Sequence, residues 1–260
     1  MSALHENTVY LIPGQDKRSR YIAEALTERG CRVMECAVSE ADVIILPMGL
    51  KPPQELLELL RPGQHILGGR LDQNLFRGLG VQVSDYYEDP ILPYINAVPT
   101  AEGAIEILMQ RLPITIQGSC GLIVGYGRIG CCLAEKLHLL GSDVTVAARK
   151  AADLGRIEAA GLKATQIGEE FRALHQYDYI INTAPAPVFS DKDYECMRQG
   201  CLLLELASSP GGIHAGKCRA LGLEYVNAPG LPGKCAPKTA GYAIADAIQR
   251  ILKVEAHHAT

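Results

Sequence analysis

Residues 119–150 read SCGLIVGYGRIGCCLAEKLHLLGSDVTVAARK. An apolar, β-prone run, Gly121 to Val124, leads into Gly125-Tyr126-Gly127-Arg128-Ile129-Gly130. A helical stretch, Cys131 to Leu140, follows, and a second apolar run, Asp143 to Ala148, comes after it. The GxGxxG spacing alone is common in loops, but placed between a strand and a helix it completes a βαβ unit that binds a dinucleotide. Gly125 permits the tight turn, Gly127 leaves room for backbone to approach a pyrophosphate, and Gly130 lets helix and strand pack closely. The helix N-terminus then faces the phosphates with its amides. Arg128 and Ile129, inside the turn, are counted with the glycines as cofactor contacts.

The end of the second strand decides which cofactor is expected. An Asp or Glu there binds the ribose 2'-hydroxyl of NAD, whereas a nearby Arg accommodates a 2'-phosphate. This chain has Ala148-Arg149-Lys150, two cations and no acid. A guanidinium holds phosphate through two charge-assisted hydrogen bonds, and Lys150 adds a point charge. NADP(H) is therefore preferred over NAD(H); the competing reading of the pair is a solvated basic turn.

Working outward, the first hundred residues repeat the alternation of short strands and helices. Thr8 to Pro13 reads as a strand ending in the Gly14-Gln15-Asp16 turn, residues 18–29 as a helix stopped by Gly30, and Arg32 to Ala37 and Val43 to Pro47 as strands. A helix at Pro53 to Leu60 and strands near His65 to Leu67 and Val81 to Tyr86 complete the set. Buried strands alternating with helices imply a parallel sheet covered on both faces. Ile105, Leu108, Met109 and Leu112 recur at helical spacing in a segment, Ala101 to Leu112, that Pro113 ends. Ala240, Ile244, Ala247, Ile248 and Ile251 form a second apolar stripe, suited to a terminal helix packing back across a hinge. The expected fold is α/β, with two Rossmann-like doubly wound parallel-sheet domains joined by a hinge helix and a C-terminal helix returning to the first domain. The expected boundaries are 1–98 for a substrate-side domain, 99–115 for the connecting helix, 116–234 for the dinucleotide domain and 235–255 for the returning helix. Substrate is expected in the cleft between the domains, and Glu255 to Thr260 are expected to fray.

Composition narrows the partners. A chain of 260 residues, 48% of them hydrophobic, can bury a sizeable core. A net charge of -4 with scattered Lys and Arg gives no electrostatic footprint for nucleic acid. No apolar run reaches the roughly 18 residues of a membrane span, and Met1 to Asn7 lacks the character of a signal peptide, so a cytoplasmic protein is expected. The nine cysteines lack metal-ligand grouping and read as reduced, structural thiols; no metal is expected.

Several further segments carry a family resemblance: Asn96-Ala97-Val98-Pro99-Thr100-Ala101-Glu102-Gly103, Ile181-Asn182-Thr183-Ala184-Pro185, Leu206-Ala207-Ser208-Ser209-Pro210-Gly211-Gly212, and Ala228-Pro229-Gly230-Leu231-Pro232-Gly233 followed by Ala236-Pro237-Lys238-Thr239-Ala240-Gly241. With the glycine turn and its Ala-Arg ending, these resemble the A-subunit family of dipicolinate synthase over most of the chain from residue 96 onward. The resemblance implies oxidation of a dihydrodipicolinate-type lysine-pathway intermediate to dipicolinate with a nicotinamide cofactor during sporulation. It also implies the flavoprotein-like B-subunit of dipicolinate synthase as partner; a homo-oligomer is expected as well. Two departures from the family pattern could alter carboxylate recognition or substrate: Ser209 stands where a basic residue is usual, and His214 lies near where an acid follows the diglycine. The cofactor half is also similar to D-2-hydroxyacid dehydrogenases, yet Ser208-Ser209-Pro210 and Asn227-Ala228-Pro229-Gly230 stand where those enzymes carry a catalytic Arg and His. A third possibility is a non-catalytic cofactor-binding subunit that supports its partner.

A dicarboxylate substrate needs cations, hydroxyls or helix N-terminal amides. Lys238, ahead of the terminal helix, is the leading catalytic candidate, where its competing reading is a solvated helix-start residue. Glu102, expected in a first helical turn, could accept a proton, and Thr100 is grouped with it; Thr100 and Thr239 each stand where a helix cap is expected. Ser208, Ser209, Thr239 and Gly69 are the substrate-binding candidates. Thr183, Ala184, Pro185 and Ala207 fall at the carboxyl edge of the second sheet, where nicotinamide is expected. His214 is a possible base, with a structural role the competing reading.

Overall fold

The structure is a computed structural model describing residues 9–13, 16–167 and 173–258, with side chains to residue 254. Thr8 and the Gly14-Gln15 turn lie outside the described residues, as do Ala259 and Thr260. The chain forms two compact units, Met1–Asn96 with Pro232–Thr260 and Ala97–Leu231.

In the first unit, strands β1 (Val9–Leu11), β2 (Arg32–Val33), β3 (Val43–Ile45), β4 (His65–Gly68) and β5 (Gln82–Asp85) form a parallel sheet of order β2-β1-β3-β4-β5. This is one of the two common doubly wound orders, with its reversal between β1 and β3. Helices α1 (Lys17–Glu28), α2 (Gln54–Glu58) and α3 (Leu92–Ile95) fill the crossovers and the exit. Because side chains alternate across a strand, Val43 and Ile45 join Ile22, Ala25 and Leu26 of α1 on one face. Ile44 faces the other way, into a cluster with Ile66, Phe76 and the leucines of α2. The strand expected over Arg32 to Ala37 is only two residues long, because β2 is an edge strand and its continuation, Met34 to Ala37, is largely exposed.

The second unit opens with α4 (Ala97–Arg111), which starts four residues earlier than the apolar spacing implies. Pro99 is tolerated because it sits in the first turn, where backbone N–H groups have no intrahelical acceptor. Thr100 and Glu102 consequently move inward: Thr100 is buried within the helix rather than capping it, and Glu102 lies beyond the first turn. Strands β6 (Cys120–Val124), β7 (Asp143–Ala148), β8 (Lys163–Gln166), β9 (Tyr179–Asn182), β10 (Leu202–Glu205) and β11 (Glu224–Asn227) order as β11-β10-β9-β6-β7-β8. Counted within the unit, this is the dinucleotide-binding order, reversing between β6 and β9. The connecting helices are α5 (Arg128–Leu139), α6 (Ala151–Ala159), α7 (Asp191–Cys196) and α8 (Ala215–Ala220).

The chain then turns through α9 (Leu231–Cys235) into α10 (Pro237–His258), which belongs to the first unit and packs along α1. A Cβ at Gly241 would lie 2.6 Å from the Tyr21 Cβ and 2.9 Å from the Arg18 carbonyl, so the two helices approach backbone to backbone there. Ala243, Ile244, Ala247 and Ile248 continue the contact, as the apolar stripe implies. Thr239 is the third residue of α10 and is exposed, so it does not cap this helix, which begins at Pro237.

Candidate functional site

The glycine turn lies at the β6/β9 reversal. Gly125 takes φ +101°, the left-handed region that favours glycine, and a Cβ there would stand 2.5 Å from Thr183 Oγ1. Thr183, just after β9, donates its backbone N–H and its hydroxyl to the Val124 carbonyl, both at 2.9 Å, stitching the two strand ends together. A Cβ at Gly130 would lie 2.0 Å from the Gly125 carbonyl oxygen, so the turn rests directly on the first turn of α5. Gly127 is different. It is exposed, its φ of -82° and ψ of -166° suit any residue, and a Cβ would meet nothing within 4 Å. Only the first two glycines named are required by the protein's own packing; the third keeps open the space over the start of α5, where amides converge on an anion. These features fit a dinucleotide pyrophosphate.

At the end of β7, Ala148 is buried while Arg149 and Lys150 are exposed, and neither forms an ion pair among the described residues. Arg156 on α6 places its guanidinium 5.4 Å from the centroid of the Tyr126 ring, and Arg128 opens α5. Of these cations Arg156 thus contacts the turn through Tyr126, and it also pairs with Asp153 at 3.2 Å. Arg156 has no motif to mark it in the sequence; only its position on α6, near the acid-replacing Arg149, could have pointed to it.

The adjoining loops are organised by a buried pair that no sequence motif marks as such. Glu205, at the end of β10, is 3% exposed, and Asn182, at the end of β9, is fully buried. The Glu205 carboxylate accepts from Asn182 Nδ2 at 2.8 and 3.0 Å, and from the backbone amides of Ala207, Gly212 and Ile213 at 2.8, 2.8 and 2.9 Å. Four dipolar donors satisfy a buried charge without a cation. A Cβ on Gly212 would lie 2.6 Å from Asn182 Nδ2, which explains the second glycine of the Ser-Ser-Pro-Gly-Gly segment. Asn182 in turn brackets Ala184, donating to its carbonyl at 2.9 Å and accepting from its amide at 3.2 Å. The loops carrying Thr183, Ala184, Pro185, Ala207, Ser208 and Ser209 are therefore fixed at the carboxyl edge of this sheet. An acid at the inner end of β10, three residues before two serines and a Pro-Gly-Gly, was the available signal.

The acid-base candidates divide between the two units. Glu102 is exposed and pairs with Lys136 of α5 at 3.1 Å. Lys238, in the first turn of α10, pairs with Glu24 of α1 at 2.8 Å and lies beside the Tyr21 and Tyr242 rings, 6.0 and 5.1 Å from their centroids. That hydrogen bond raises its pKa further above the usual lysine value. Lys238 and Thr239 belong to the first unit, Thr100 and Glu102 to the second. His214 caps α8, its Nδ1 accepting from the Lys217 amide at 3.3 Å. No His, Cys, Asp and Glu cluster suited to a metal occurs among the described residues, and burial pushes the Cys201 thiol up to about 12.

In the first unit the carboxyl edge carries two arginines that sequence reasoning missed. Asp16 caps α1, accepting from the Arg18 amide at 2.8 Å, and its carboxylate binds Arg18 Nε and Nη2. This pairing lowers the Asp16 pKa. Arg18 Nη1 contacts only the Met48 sulfur, at 3.7 Å, among the described residues. A Cβ on Gly233 would lie 2.9 Å from Arg18 Nε, so the backbone at Gly233 packs against this side chain. Gly69 is buried, with Tyr86 and Met48 against it at 2.6 and 3.0 Å from a notional Cβ. Arg70 follows with φ +59° and is the one such non-glycine residue described. Its amide donates to Asp85 at 2.8 Å and its guanidinium stacks 4.7 Å from the Tyr87 centroid. Holding a side-chain-bearing residue in that conformation costs about 1 to 2 kcal/mol. A Gly-Gly-Arg sequence at a strand end was the signal.

Comparison with known proteins agrees with this construction. The ketopantoate reductase PanE/ApbA family model matches residues 122–187, from within β6 through the glycine turn to the loop after β9. The dipicolinate synthase A-subunit of Bacillus subtilis (strain 168) is 30% identical over 242 residues, 85% of this chain and 81% of that protein. The crystal structures of the dipicolinate synthase A-subunits from Bacillus halodurans and Bacillus subtilis both superpose with a TM-score of 0.85, at 26% and 27% identity. They cover 94% and 97% of this chain, and 97% and 98% of their own chains. D-lactate dehydrogenase of Escherichia coli, at 13% identity and a TM-score of 0.64 over 96% of this chain and 97% of that one, shares the fold. With 30% identity over 85% of its length and a shared fold through both sheets, the chain belongs to the A-subunit family of dipicolinate synthase.

Proposed function

We propose that the chain is the oxidoreductase subunit of a dipicolinate synthase, oxidising a dihydrodipicolinate-type intermediate to dipicolinate with NADP, in the cytoplasm and during sporulation. The observation that carries this reading is a dinucleotide turn packed as a cofactor site and followed by Arg149-Lys150 in place of an acid, in a chain of this family. A bound nicotinamide supplies the hydride acceptor.

The balance of the reaction is simple. The dihydro ring loses one hydride to the cofactor and one proton to a base or water, and becomes a pyridine. Resonance energy supplies the driving force, so the protein's task is orientation and charge neutralisation. The turn and α5 hold the pyrophosphate, Arg149 and Lys150 the 2'-phosphate, and the loop from Thr183 to Pro185, braced by Asn182 and Glu205, the nicotinamide end. The alcohol-oxidising alternative is disfavoured because Ser208-Ser209 and Asn227-Ala228 follow β10 and end β11, the places where a dehydrogenase of 2-hydroxy acids needs Arg and His.

Membership of an A-subunit family implies a B-subunit as partner. Purified chain, alone and then with the B-subunit, is assayed on the freshly generated intermediate with NADP. Pyridine absorbance formed by this chain alone supports the proposal. Formation only with both chains assigns it a supporting role, and reduction of 2-oxo acids by this chain alone returns it to the hydroxyacid dehydrogenases.

A further inference from the structure

We infer that Arg18 and Arg70, at the carboxyl edge of the first unit's sheet, form a binding site for a planar dicarboxylate. This rests on the proposed function for the identity of the ligand, and on the first unit alone for the site. In doubly wound sheets ligands bind outside the carboxyl ends of the strands, at the reversal of strand order, which here lies between β1 and β3. Arg18 follows β1, and its Nη1 reaches Met48, which follows β3, so the guanidinium spans that reversal. A thioether is a weak acceptor, and a guanidinium presents a fork of donors suited to carboxylate. Asp16 fixes the other side of the fork, orienting Arg18 while leaving Nη1 for a ligand.

Arg70 supplies the second cation. It follows β4, directly after the close-packed Gly69, and its left-handed backbone is pinned by Asp85. A glycine would occupy that conformation without strain, so the presence of Arg there points to the side chain. Met48 joins the two loops: its sulfur lies 3.7 Å from Arg18 Nη1, and its Cγ would lie 3.0 Å from a Cβ on Gly69, the residue before Arg70, whose guanidinium lies over the Tyr87 ring and 3.5 Å from its hydroxyl. Two guanidinium groups match the two carboxylates of a pyridine dicarboxylate. Gly69, expected from the sequence to bind substrate, belongs to this site through its backbone, and the Leu-Pro-Gly segment through Gly233 against Arg18.

The test is equilibrium binding of pyridine-2,6-dicarboxylate, benzene-1,3-dicarboxylate and inorganic phosphate to the whole chain by calorimetry. The variants are Arg70→Gln, Arg70→Lys, and the charge-neutral pair Asp16→Asn/Arg18→Gln, which leaves no orphaned acid. Each is checked for folding by thermal melting and for NADPH affinity, since the cofactor turn lies in the other unit. Dicarboxylate affinity is expected to fall at least about tenfold in Arg70→Gln and in the double variant, the loss of one charge-assisted contact, and less in Arg70→Lys. Folded variants that bind dicarboxylate like wild type, or a wild type that binds none of the three probes, overturn the site. Arginine-dependent binding that favours phosphate overturns the carboxylate assignment. Arginine-dependent binding of the benzene compound but not of the pyridine upholds the site and refutes the proposed substrate instead.

Discussion

Replacing Gly127 by Ala separates what the glycine turn does for folding from what it does for a ligand. The added Cβ would point into open space, and the backbone angles there are open to any residue. Two small terms then set stability. Gly127 is the N-cap of α5, where Ala is poorer than Gly by about 0.5 kcal/mol. Against this, the substitution reduces the unfolded chain's entropy, worth about 0.4 to 1 kcal/mol in the stabilising direction. They nearly cancel, so the urea midpoint is expected to stay within the equivalent of about 0.5 kcal/mol of wild type. The methyl group would meanwhile occupy the surface over which a pyrophosphate must approach the amides of α5, and NADPH affinity is expected to fall at least about tenfold, one lost charge-assisted contact. Gly130→Ala is the contrasting case. Its Cβ would begin 2.0 Å from the Gly125 carbonyl oxygen, so reaching even 3.0 Å requires a backbone shift of about 1 Å. Overpacking costs about 1 to 3 kcal/mol, and the gain in helix propensity returns about 1 kcal/mol, so this variant loses stability and cofactor together. Denaturation and fluorescence titration of NADPH read both quantities. A folded Gly127→Ala protein that binds NADPH like wild type would show that the turn is not the pyrophosphate site.

Three further outcomes follow from the same geometry. Arg149→Asp should shift preference from NADPH toward NADH by at least about tenfold, through repulsion of the 2'-phosphate and a new acceptor for the 2'-hydroxyl; an unchanged ratio in paired titrations would reduce Arg149-Lys150 to a solvated turn. Glu205→Gln replaces an acceptor of four N–H groups with a side chain that must donate toward some of them, and should cost about 2 to 3 kcal/mol of stability by denaturation; a loss below about 0.5 kcal/mol would refute its bracing role. Asp89, 2% exposed, is held below the usual carboxylate range by Arg250 and then by the Leu92 and Ile91 amides. Because its folded pKa is depressed, the stability it contributes is present above about pH 4 and lost as pH falls through the folded value. Asp89→Asn should therefore cost about 2 to 3 kcal/mol near neutrality and flatten the acid limb of the stability profile; wild-type and variant curves that run parallel contradict this.

The fold was legible where backbone geometry leaves a mark on residue type. Glycine spacing, apolar strands and the α10 stripe identified both sheets and the returning helix, because burial on two faces admits few other patterns. Strand ends were less visible: β2 stops early because an edge strand lacks a second neighbour, and α4 starts early because a first-turn proline does not break a helix. The glycine turn was readable for the same reason as the fold. Glu205 and Asn182 were not, since their meaning lies in partners 23 residues apart that meet only across β9 and β10. Arg18 and Arg70 were missed for a related reason: they come from separate loops and are brought to one sheet edge by a strand order that local periodicity does not encode. The residue types around Lys238 suggest chemistry, and the structure also gives the motif's glycines packing roles: Gly233 against Arg18, Gly241 against α1.

The stoichiometry of hydride transfer by this chain tests its proposed oxidoreductase role most directly. Purified protein is mixed with limiting NADP and freshly generated dihydrodipicolinate-type intermediate, and the dihydronicotinamide and pyridine chromophores are followed together. Both should rise at the same rate and in equal amounts, faster with NADP than with NAD. Pyridine appearing without reduced cofactor, or neither chromophore appearing until the partner is added, would contradict that role.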